Sequence, residues 1–115
     1  MSTERQTRLA ILNARVFTGN PRRPWADAVL IRGDRIELVG SSAEVRKRID
    51  ATVRTIDARG MFARPADKDG VLQAGAFADI VMLERDTTLA APAEASDAEV
   101  MLRVVAGHIV SERAG

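Results

Sequence analysis

The sequence predicts a mainly β fold, a small β-sandwich or barrel-like domain with one short helix. Three observations predict it. Short apolar runs recur between turn signals from Arg8 onward, about eight of them, at the spacing of an all-β domain. The stretch "DAVLIRGDRIELVG" places two apolar runs on either side of Gly33-Asp34, as a hairpin does. Only "SSAEVRKRID" starts as a helix should, and it is short.

Residues 1–7 are polar and expected to be a disordered lead-in, with 8–115 forming a single domain. "LAILNARVF" alternates loosely, with Leu9 and Ile11 on one face and Asn13 as a bend. "GNPRRPW" gathers Gly19, Asn20, Pro21 and Pro24 and reads as a loop. Glycine at the first turn position of Gly33-Asp34 suits a type II′ hairpin. The returning run Arg35 to Val39 alternates like a strand with one wet face. A helix over about 42–49 follows, because Ser41 with Glu44 makes a capping box and Val45 and Ile49 lie one turn apart. So short a helix depends on docking those two residues against a sheet.

"TVRTID" is the next strand, and Arg59-Gly60 turns tightly into "MFARP". Between Pro65 and Gly70 stand only small and charged residues, a polar seam near 65–70. Beyond it, Ile80 to Leu83 is a continuous apolar run, the pattern of a strand buried on both faces. Residues 84–98 are a polar, alanine-rich connection. The closing segment reads as two strands turning at Gly107-His108.

Composition narrows the function. With 17 lysines and arginines against 16 acids, the chain has no overall field to gather nucleic acid or an anionic membrane. Aromatics are 3% of residues, too few for a base-stacking platform. There is no cysteine, which excludes disulfides and thiolate metal sites. No apolar run approaches the ~20 residues of a membrane helix. The N-terminus lacks the apolar core of a secretory signal, so a cytoplasmic protein is expected.

Every candidate for chemistry has a plainer structural role. His108, the single histidine, is expected at a hairpin tip. One histidine without cysteine falls short of the three or four converging ligands of a metal site. The pairs Asp67/Asp69 and Glu84/Asp86 could act as acid and base, but they fall in turns or at a strand end. Ser41 and Ser42 are accounted for by the helix cap. Arg22-Arg23 and Arg46-Lys47-Arg48 read as solvated charge, and Trp25 as a core plug beside Pro24. No catalytic, cofactor-binding or metal-ligating residue is therefore assigned, and no cofactor.

Two segments together resemble one family. "ILNARVFTGNPRRPWADAVLIRGDRIELVGSSAEVRKRIDATVRTIDARGMFARP" resembles the N-terminal segment of metal-dependent amidohydrolases. "GVLQAGAFADIVMLERD" resembles their C-terminal signature, and "VMLRVVAGHIVSE" their closing hairpin. The resemblance implies that both ends fold into one composite β-sandwich, from which a metal-binding (β/α)₈ barrel is normally extended between them. It also implies what is missing. The family's His-x-His pair, further histidines, bridging lysine and aspartate base have no matching positions here, and a barrel needs ~250 residues. Lys68 lies at the seam without histidines around it.

The expected function is accordingly that of a non-catalytic, barrel-less sandwich acting through a homodimer or another protein chain, with no nucleic acid and no membrane. Whether it is an enzyme the residues leave open, and they lean against it. The alternative is one subunit of a split amidohydrolase, hydrolysing non-peptide C–N bonds with a barrel on a separate chain.

Overall fold

The computed structural model describes residues 8–67, 69–86 and 100–112. It is mainly β, as expected. Ten strands are formed among these residues: β1 (Arg8–Leu12), β2 (Arg15–Phe17), β3 (Trp25–Ala26), β4 (Ala28–Arg32), β5 (Arg35–Gly40), β6 (Val53–Asp57), β7 (Phe62–Pro65), β8 (Ile80–Leu83), β9 (Val100–Val105) and β10 (His108–Glu112). One helix, α1 (Ser42–Arg46), sits between β5 and β6. The expected lead-in and most of the 84–98 connection lie outside the described residues.

The strands make two sheets, ordered β5-β4-β1-β6 and β10-β9-β8-β7-β2-β3. Chain continuity explains the matching orders. The pairs β1/β2, β3/β4 and β6/β7 each begin in one sheet and end in the other, turning a corner between them. Such corners need bends, and the sequence supplies them. Asn13 takes a left-handed φ of 57°, which its short polar side chain tolerates. Arg59 and Gly60 are both left-handed, the signature of a type I′ turn, closed by Met61 N–H to the Ala58 carbonyl at 2.9 Å. The corners also hold one another: Ala14 N–H donates to Asp27 O and Gly60 N–H to Asn13 O. Asn13 bends as expected and divides "LAILNARVF" into β1 and β2, while β3 forms where the sequence reads as the end of a loop.

Side-chain alternation sorts the apolar residues into three layers. Between the sheets lie Leu9, Ile11, Val16, Val29, Ile31, Ile36, Ala63, Ile80, Met82, Leu102 and Val104, all buried. Outside the four-stranded sheet, Ala10, Leu12, Ala28, Leu30 and Val53 pack against Val45 of α1. Val45 is fully buried, which stabilises by roughly 2 kcal/mol and is what keeps five helical residues in place. On the outer side of the six-stranded sheet, Phe62, Val81 and Leu83 form the third cluster with Phe17 and Val100. The double-sided burial expected of β8 is therefore real.

The capping box is formed in full. Glu44 N–H donates to Ser41 Oγ at 3.1 Å, and Ser41 N–H to Glu44 Oε1 at 3.0 Å. The helix is shorter than the expected 42–49. After Arg46 the backbone tightens, with Arg48 N–H bonding Val45 O and Ile49 N–H bonding Arg46 O, both three residues back. Ile49 still reaches the apolar layer under the helix.

Gly33 alone is left-handed in its hairpin, at φ 61°, as the expected type II′ turn requires. The last hairpin turns one residue earlier than the sequence suggests. Ala106 and Gly107 occupy the two left-handed positions, and His108 is already in β10. Among the described residues no helix is long and apolar enough to cross a membrane.

Candidate functional site

The seam defines the region of interest, because both resembling segments meet there. β7 and β8 pair antiparallel in direct register, Pro65 opposite Ile80 and Phe62 opposite Leu83. Ala66 N–H extends the ladder to the Asp79 carbonyl. The chain then turns at Asp67–Gly70, closed by Gly70 N–H to Asp67 O at 2.8 Å, while Asp67 Oδ1 accepts the Asp69 N–H at 3.0 Å. Asp67 is thus a turn carboxylate, and both it and Asp69 face solvent.

After the turn, residues 70–79 run as a strap across the N-terminal half. Gly70 packs so tightly on Gly19 that a Cβ at Gly19 would overlap the Gly70 carbonyl oxygen. Leu72 N–H donates to Thr18 O at 2.7 Å, and the Leu72 side chain is buried in the central layer. Further on, Gly75 N–H donates to Ile36 O, Ile36 N–H to Ala76 O, and Ala78 N–H to Asp34 O. These bonds occupy the otherwise open edge of β5. Gly107 N–H reaches Ala78 O, which ties the final hairpin to the same strap.

The expected chemical candidates are dispersed over the fold. His108 is exposed and lines a cleft of about 210 Å³ with Arg8, Leu9, Arg54, Gly107 and Ile109. Its cationic neighbours are already neutralised: Arg54 pairs with Glu112 at 2.9 Å and Arg8 with Asp50 at 3.3 Å. Asp86 pairs with Arg15 at 3.1 Å. Ser42 Oγ accepts the Asn13 N–H, so the second serine secures a corner. Arg23 donates to the Val39 carbonyl, and Arg48 to Glu37, which also meets Arg32 at 3.2 Å. Among the described residues no three His, Asp or Glu side chains are grouped to hold a metal ion.

Three carboxylates lie below their ordinary range, each for a local reason. The Ser41 backbone N–H and hydroxyl hold Glu44 down. The Thr52 hydroxyl and N–H do the same for Asp50, and the Arg59 N–H with the Asn13 amide for Asp57. These are capping and turn carboxylates. None is poised near neutrality for proton transfer.

Two features escape the sequence. Trp25 is not a core plug: it is 37% exposed on the outer side of the six-stranded sheet. It stands edge-on to Phe17 at 5.5 Å and tilted to Phe62 at 6.2 Å, with the Arg15 guanidinium 4.1 Å over its ring. The pairing of Phe17 with Trp25 across β2 and β3 puts both on this side, and so short a strand as β3 leaves no periodicity to reveal it. The second is Asp79, whose Oδ1 accepts the Ala106 N–H at 2.7 Å. Only a fixed spacing to a distant turn could have signalled that bond.

No protein-family model matches the chain, and no curated protein matches it. Among solved structures, an uncharacterized metal-dependent hydrolase from Pyrococcus furiosus is 26% identical over 51% of this chain and 13% of its own, with a TM-score of 0.46. A second such hydrolase, from Pyrococcus horikoshii OT3, is 18% identical over 51% of this chain and 12% of its own, TM-score 0.47. Molinate hydrolase is 27% identical over 53% of this chain and 13% of its own, TM-score 0.43. The chain therefore matches only 12–13% of the length of these structures.

Proposed function

We propose that this chain is a non-catalytic β-sandwich of the amidohydrolase composite type, working through association with a second copy of itself or with another protein. The observation that carries this reading is the ladder from Phe62–Leu83 to Pro65–Ile80. It joins, as direct neighbours in one sheet, the two segments whose sequences resemble opposite ends of those enzymes. The turn at Asp67–Gly70 closes that join on itself. Glu44, Asp50, Asp57, Asp67, Asp86 and the two serines are engaged in caps, turns, corners and ion pairs, which suits a structural module better than a catalyst.

Light scattering coupled to size exclusion tests the reading over a range of protein concentration. A mass above one chain, rising with concentration, is the expected result. A single-chain mass at every concentration, with no partner retained by the purified protein, would sink it. Elemental analysis is the companion measurement, since stoichiometric tightly bound zinc would point instead to a hydrolase.

A further inference from the structure

We draw no further inference here: the strongest candidate, the partly exposed patch of Trp25, Phe17 and Arg15 on the outer side of the six-stranded sheet, carries nothing, because nothing in the structure shows what covers it.

Discussion

The carboxylate of Asp79 receives the backbone N–H of Ala106 at 2.7 Å, from 27 residues away. Asp79 sits where the strap enters β8, and Ala106 is the first left-handed residue of the final hairpin. A non-glycine residue in that conformation costs about 1–2 kcal/mol, and a charge-assisted hydrogen bond is of the size needed to offset it.

Replacing Asp79 should therefore loosen the C-terminal hairpin. Asp79→Ala leaves the Ala106 N–H unmet and is expected to cost about 1–3 kcal/mol in urea unfolding. Asp79→Asn keeps an acceptor oxygen and should lose less than half as much. Equal losses for the two would show that the bond is not what matters.

Two left-handed glycines should respond very differently to alanine. At Gly107 a Cβ would overlap the Gly33 carbonyl, so Gly107→Ala forces the two hairpins apart. At Gly60, with φ 83°, a Cβ meets nothing within 4 Å, so only backbone strain opposes it. The expected losses are above about 3 kcal/mol for the first and about 1 kcal/mol for the second. Thermal unfolding midpoints rank them directly.

The helix dock is measurable through two residues. Val45→Ala removes methyl groups from a fully buried site and should cost about 2 kcal/mol, while Ser41→Ala should cost about 1 kcal/mol by opening the capping box. Because α1 covers one side of the four-stranded sheet, Val45→Ala should also raise dye binding to exposed apolar surface.

Acid should weaken the fold through its capping carboxylates. Glu44, Asp50 and Asp57 are held below their ordinary values of 4.5, 3.8 and 3.8. A lowered folded-state pKa stabilises fully above the unfolded value and is lost as pH falls through the folded one. Stability should thus be flat near neutrality and drop in the carboxylate range and below. Asp57→Asn should flatten part of that drop in urea midpoints measured against pH. An unaltered profile would remove Asp57 from the account.

Trp25 is the only tryptophan and reports its own surroundings by fluorescence. Its partial exposure predicts efficient quenching by acrylamide in the folded protein. Trp25→Ala should cost about 1–2 kcal/mol, from lost contacts with Phe17 and Phe62, below the ~3–5 kcal/mol of a core aromatic.

Local chemistry made much of this fold legible. Gly33-Asp34, the Ser41/Glu44 box and the apolar run Ile80 to Leu83 each announce their structure within a few residues, and each forms where expected. What stayed hidden depends on distant partners. Asn13 suggests a bend, but nothing nearby says that the bend carries the chain into a second sheet. Asp79 and Trp25 gain their roles from residues on other strands. The one-residue error at the last hairpin has the same origin. Ala106 is left-handed against its own preference, because Asp79 and Gly33 hold the turn from outside.

The three corner crossings decide how the molecule comes apart. β1/β2, β3/β4 and β6/β7 stitch the two sheets together within the N-terminal part, so peeling one layer from the other would tear three continuous chains from their neighbours. In native-state hydrogen exchange, amides of β4 and β1 should share one slow class with those of β2, although they belong to different sheets.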